Sequence, residues 1–219
     1  MNKFILFYDV IKTMKDKEVI SGTLEVNGKK DMNKIFGLEN DFEKNMVNGR
    51  TKIKLVTEMD CEGKKVKHES NTEFEMQGCH DHKHHCFIRH MHHRHNHGAK
   101  CGIKEKLNKI ISLLDILKSV RVDEKEDQSV NVSLSLNEIP EDIRGTIFEK
   151  MNNETEGTCK GHHLMKELYN SETVNLDVNL IVSKNREIQK ITFAVFGEQK
   201  DGLSGIHKMN IDAELSFKW

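Results

Sequence analysis

The sequence predicts an α+β fold: a curved antiparallel sheet covered by helices, in the pattern of two β-α-β-β repeats joined by a long His/Cys-rich loop. Three observations carry this expectation. Apolar and polar residues alternate in several runs, as half-buried strands require. Apolar stripes at helical spacing sit between those runs. Between the two halves, residues 78–101 (GCHDHKHHCFIRHMHHRHNHGAKC) hold nine histidines and three cysteines.

The chain opens on MNKFILFYDVIKTMK. Its short apolar run is interrupted at Asp9 and no small-residue cleavage pattern follows, so residues 3–15 read as a helix rather than a signal. "SGTLEVNGKKDMNKIFGLENDFEKNMV" then reads as a strand and a helix, and "GRTKIKLVTEMDCEGKKVKHESNTEFEM" as strand, turn, strand. After the histidine tract, Ile103, Leu107, Ile110, Ile111, Leu114 and Leu117 form one stripe of a helix over 103–118. Val130, Val132, Leu134 and Leu136 alternate as a strand. A second helix is expected from Pro140, a residue favoured in the first helical turn, with Ile143, Ile147, Phe148 and Met151 on one face. Three strands close the chain: 172–182 with Val174, Leu176, Val178, Leu180 and Val182 on one face, one through Ile191, Phe193 and Val195, and one from Met209 to Phe217. "SKNRE" and "EQKDGLSG" carry the turn chemistry that joins them as hairpins. The two halves thus divide as 1–77 and 103–219, with 78–102 as a metal-binding connection, in one continuous globular unit.

The closing run NREIQKITFAVFGEQKDGLSGIHKMNIDAELSF, a strand, a "KDG" turn and a strand, resembles the last hairpin of bacterial half-barrel proteins similar to the lipoprotein-carrier class, over the C-terminal ~90 residues. The resemblance implies a curved antiparallel sheet covered by helices, with lipid held on its concave face. Members of that class are exported. Residues 1–15 carry neither a signal pattern nor a lipid-attachment cysteine, so the resemblance bears on fold rather than on lipid carriage.

Charge excludes some partners. With 34 Lys and Arg against 35 Asp and Glu, the formal charge of −1 supplies no field for nucleic acid or an anionic membrane, and neither is expected as a partner. No apolar run approaches the ~18 residues of a membrane span. Five cysteines, three of them inside the histidine tract, read as reduced thiols available to metal rather than a disulfide framework, which places the expected compartment in the cytoplasm. One proline and abundant Lys, Asn, Ile and Glu suit an AT-rich bacterial genome.

The candidate metal ligands are Cys79, His80, His82, His84, His85, Cys86, His90, His92, His93, His95, His97 and Cys101. Neutral imidazole and thiolate together suit Zn, Ni, Co or Cu ions, and the single carboxylate, Asp81, argues against Ca²⁺ or Mg²⁺. Cys79, His82, Cys86, His90, His93, His97 and Cys101 fall at steps of 3, 4, 4, 3, 4 and 4, the spacing of one helical face, although Gly98 breaks its far end and a tract this dense satisfies many templates by accident. There is no paired CxxC knuckle, and the donors outnumber those of one tetrahedral Zn²⁺. That favours storage, buffering, delivery or sensing over one rigid structural ion. "TEGTCKGHHLMKE" adds Cys159, His162 and His163, which could close a site with donors from the longer tract.

Plainer readings stand beside this one. An internal, interrupted tract mixed with cysteine is unlike a purification tag, and a solvated polar loop with no selected metal role is the main alternative. His68, His207 and Cys61 read as ordinary surface or structural residues. A further function, from a different class, is a non-enzymatic hydrophobic-ligand or protein-interaction module of half-barrel type with a pH-responsive histidine-rich lid; a protein partner or a homo-oligomer stays open. Without an HExxH motif, a phosphate-binding glycine loop or a GxSxG elbow, no enzyme is expected.

Overall fold

The computed structural model describes residues 2–61, 63–75, 114–139, 141, 144–145, 173–201 and 205–219. Helix α1 (Lys3–Lys15) comes first, with the Asn2 side chain accepting the backbone N–H of Phe4 at 2.9 Å as its N-cap. Four strands follow as a meander: β1 (Val19–Lys30), β2 (Asn33–Asn45), β3 (Arg50–Cys61) and β4 (Lys64–Glu75). Residues 114–119 are helical. Then come β5 (Arg121–Glu124), β6 (Val130–Ser135), a single 3₁₀ turn at Leu136–Glu138, β7 (Thr173–Val182), β8 (Ile188–Asp201) and β9 (Gly205–Lys218).

The nine strands among the described residues form one open sheet in the order β4-β3-β2-β1-β9-β8-β7-β6-β5. Every neighbour is antiparallel, and the two halves of the chain meet where β1 pairs with β9, from Ser21 opposite Lys218 to Lys30 opposite Met209. The molecule is therefore nearly all β. This corrects the expected α+β class: among the described residues helices pack only against the β5–β7 side of an otherwise open sheet, and the first half holds no β-α-β-β unit, because the segment that reads as a helix after the first strand is β2.

The reason lies in the turn that precedes it. Ile35, Leu38, Phe42 and Met46 recur at helical spacing, but Phe36, Leu38 and Phe42 equally recur at the spacing of a strand. What decides is a two-residue connection at Asp31 and Met32, both at positive φ (47° and 74°), which folds β2 straight back on β1. Neither residue is the glycine that normally announces such a turn. Asp31 is fastened there by its own side chain, whose Oδ1 accepts the Lys208 backbone N–H at 2.8 Å, while the Asp31 N–H donates to the Lys208 carbonyl at 2.9 Å. Met32, 95% exposed, has no compensating contact of that kind and bears the left-handed backbone at a cost. Met32→Gly is expected to stabilise the fold by about 0.5–1 kcal/mol, read as a rise in the urea midpoint at unchanged slope.

Cross-strand registers assign each residue to a face. One face carries most of the apolar side chains: Val66 and Phe74 on β4, Ile53, Leu55 and Met59 on β3, Phe36, Leu38 and Phe42 on β2, Leu24 and Val26 on β1, Ile211 and Leu215 on β9, Ile191 and Val195 on β8, Leu176, Val178 and Leu180 on β7, Val130 and Val132 on β6, with polar residues such as Asn40, Thr57, His68 and Ser70 among them towards β4. The other is polar and laced with pairs such as Lys52–Glu43 (2.9 Å) and Lys190–Glu214 (2.6 Å). Lys190 beside Glu214 holds that carboxyl below its ordinary value, helped by the Ser216 hydroxyl.

Full burial is concentrated at one side of the apolar face. Leu6 and Val10 of α1 pack with Val120, Val130, Val132 and Val182, and Leu136 and Ile139 form a second cluster with Ile116, Leu134 and Leu176. Among the described residues, no apolar side chain of β1–β4 is fully buried. At the centre of the sheet an aromatic group takes over. Phe42 and Phe217 meet edge to face at 6.3 Å above Gly22, which both flank in register, and Phe217 stacks on Trp219 at 5.4 Å. Trp219 donates its indole N–H to the Ile188 carbonyl at 2.7 Å and lies under the Lys17 ammonium, itself paired with Glu187.

Candidate functional site

The sequence-predicted metal ligands all lie outside the described residues: Cys79 through Cys101 in one connection, and Cys159, His162 and His163 in another. What the sheet fixes is where those connections begin and end. The first leaves β4 at Glu75, opposite Arg50, at the end of the sheet that also holds the start of β1 and the end of β9. It returns at residues 114–119, just before β5 at the other edge of the sheet. The second connection runs from the 3₁₀ turn after β6 to Thr173, the start of β7, at the opposite end of the strands.

These two attachment points touch. Ile116, from the segment that ends the first connection, packs with Leu136 and Ile139, which begin the second, and with Leu176 of β7. The same segment is tied to α1, since the Lys3 ammonium donates to the carbonyls of Leu117 (3.5 Å), Lys118 (3.2 Å) and Val120 at the end of the helical turns. Lys118 is bridged to Asp115 at 2.7 Å.

Among the described residues, no three of His, Cys, Asp and Glu gather into a metal-binding group. His68 sits exposed on β4, paired with Thr57. His207, read from the sequence as an ordinary surface residue, has a specific role: its Nδ1 lies 2.6 Å from Asp31 Oδ2, across 176 positions of chain, and clamps the β1–β2 turn to β9. The Lys208 backbone N–H, followed by His207, holds the Asp31 carboxyl below the ordinary range. Only the folded register brings Asp31 and His207 together, so no local pattern announces the pair.

One cleft of about 330 Å³ opens near the β4 edge, lined by Ile35, Phe36, Met59 and Val66 with Lys34, Lys65, Lys67, Glu58 and Asp60. A second, of about 220 Å³, lies on the polar face among Glu25, Glu39, Glu58 and Lys34. Lys34 occupies it: its ammonium lies 3.7 Å from Glu58, and its end passes over Gly37, where an added Cβ would meet it at 2.7 Å. Lys34 thus offsets one of the three carboxylates of that cluster. No helix among the described residues is long and apolar enough to cross a membrane. The chain matches no protein-family model, and no curated protein matches it.

Proposed function

We propose that the protein binds transition-metal ions, as a buffer, store, chaperone or sensor, through the His/Cys-rich connection 78–101, with the sheet as its support. The observation that carries the proposal is the density of soft and borderline donors: nine imidazoles and three thiols within residues 78–101. Its chemistry fits Zn, Ni, Co or Cu ions, and the excess of donors fits several sites or exchange among overlapping ones. The packing of Ile116 on Leu136 and Ile139 supports a contribution from Cys159, His162 and His163, because it joins the attachment points of the two connections that carry the donors. No residue is assigned a catalytic role.

The test is a zinc titration of the untagged chain against a variant with Cys79, Cys86 and Cys101 changed to Ser and the histidines of 80–97 changed to Ala. The proposal expects the parent to take up more than one equivalent and the variant to lose most of it, with the far-ultraviolet β signature of both unchanged. Equal uptake by the two proteins would sink it.

A second reading is supported by the apolar face. Val66 (61%), Phe74 (38%) and Phe193 (41%) are exposed on it, so a hydrophobic ligand or a protein partner could bind there without catalysis. Co-purification of lipid, seen by native mass spectrometry on metal-free protein, would favour this reading over the first.

A further inference from the structure

The two edges of the sheet are unlike. β5 spans only four residues and reads RVDE, a short charged edge of the kind that discourages further pairing. β4 is twelve residues long, pairs only with β3 among the described residues, and is exposed at every position but Ser70. A strand of that length presents an unpaired row of N–H and C=O groups, the usual template for another strand.

Its sequence, KKVKHESNTEFE, divides its charges. Lys64, Lys65 and Lys67 occupy the first half; Glu69, Glu73 and Glu75 lie towards the other end. Edge lysines alone would repel a second copy. Segregated charges instead complement an antiparallel copy, in which each basic half faces an acidic half. We infer that β4 is a self-complementary edge, through which two copies of the chain pair antiparallel about a two-fold axis at Ser70.

Register follows from parity and charge. Val66, His68, Ser70, Thr72 and Phe74 lie on the apolar face, so only pairings that match even with even positions keep the two apolar faces on one side. With Ser70 opposite Ser70 of the second copy, Lys65 faces Glu75, Lys67 faces Glu73 and Val66 faces Phe74, each twice by symmetry. Shifting by one residue in either strand direction at the axis sets Glu69 opposite Glu69, or Glu69 opposite Glu73, so both neighbouring registers oppose like charges. The Ser70 register has no such pair. Existing contacts are compatible with it: Lys67 bridges Glu69 at 2.7 Å and Glu73 bridges Arg50, yet the Lys67 and Glu73 side chains stay 56% and 47% exposed. Val66 also lines the cleft with Phe36 and Met59, so the Phe74 ring of the second copy meets apolar surface beside Val66. The dimer joins two nine-stranded sheets into one, with the two apolar faces on the same side and β5 at both ends.

The test is the mass of the full chain by sedimentation velocity at micromolar concentration, with a chelator present so that no metal bridges the copies. The inference expects twice the chain mass of 25.4 kDa. Glu73→Lys with Glu75→Lys makes the strand wholly basic at these positions, and Lys65→Glu with Lys67→Glu makes it wholly acidic; each should be monomeric alone. Mixing the two should restore a dimer holding one of each, which only folded and complementary edges can do. A wild-type chain at single mass, a charge variant that stays dimeric alone, or a mixture that stays monomeric overturns the inference. Because metal is chelated throughout, its failure leaves the metal proposal untouched.

Discussion

Gly22→Val is expected to destabilise the fold by about 3 kcal/mol, with a large fall in the urea midpoint. Gly22 lies in β1 between Phe42 on β2 and Phe217 on β9, and a Cβ placed there would stand 2.3 Å from the Ser216 carbonyl oxygen and 3.0 Å from the Phe42 ring. The first of these is backbone on a paired strand and cannot rotate away. Relief requires parting β1 from β9, the one junction between the two halves of the sheet. A branched side chain would also lift Phe42 off Phe217, and with it the stack on Trp219. Trp219 is the single tryptophan, so its emission reports directly on this loss. Gly28→Ala supplies the control: its Cβ would meet only the Phe36 side chain, at 3.4 Å from Cβ and 4.0 Å from Cδ1, ordinary contacts, and the variant should fold with a midpoint close to the parent's. If Gly22→Val unfolds at the same midpoint as Gly28→Ala, the register of the central strands is wrong.

Metal affinity should collapse on mild acidification. Imidazole binds metal only when neutral, and with an ordinary pKa of about 6.5 each ligating histidine loses roughly tenfold in its neutral fraction between pH ~7.5 and ~5.5. A site with three such ligands therefore weakens by about 10³, before thiolate protonation is counted. The sign is fixed: acid releases metal, and metal binding at neutral pH releases protons. Competition with a chromophoric chelator across this range measures the first effect, and buffers of different ionisation enthalpy in calorimetry measure the second. A flat affinity profile would show that the histidines of 80–97 are not the ligands.

Alternation made the strands of the second half legible: β7, β8 and β9 lie where Val174–Val182, Ile191–Val195 and Met209–Phe217 place them, and β6 follows Val130–Leu134 but stops at Ser135, Leu136 opening a 3₁₀ turn instead of continuing the strand. α1 also lies where residues 3–15 read as a helix, on an apolar run interrupted at Asp9 with no cleavage pattern after it; its Asn2 cap and the burial of Leu6 and Val10 are findings of the structure. β2 was not legible. Its apolar residues satisfy both periods, and the turn that decides between them uses Asp31 and Met32 at positive φ, where glycine or asparagine would have announced a hairpin. A helix in that segment, together with the helices expected over 103–118 and from Pro140, is what makes the sequence read as α+β. The clamp between Asp31 and His207 was hidden for a different reason, since only pairing of β1 with β9 brings positions so distant in the chain together. The candidate metal ligands are the reverse case: their density of His and Cys is conspicuous in composition alone, and they lie outside the described residues.

The central claim, that the protein carries transition metal, is tested most directly by inductively coupled plasma mass spectrometry on untagged protein purified from its native host without a metal column. Zn, Ni, Co or Cu at one equivalent per chain or more is expected. Metal-free protein with all five cysteine thiols titratable would contradict it.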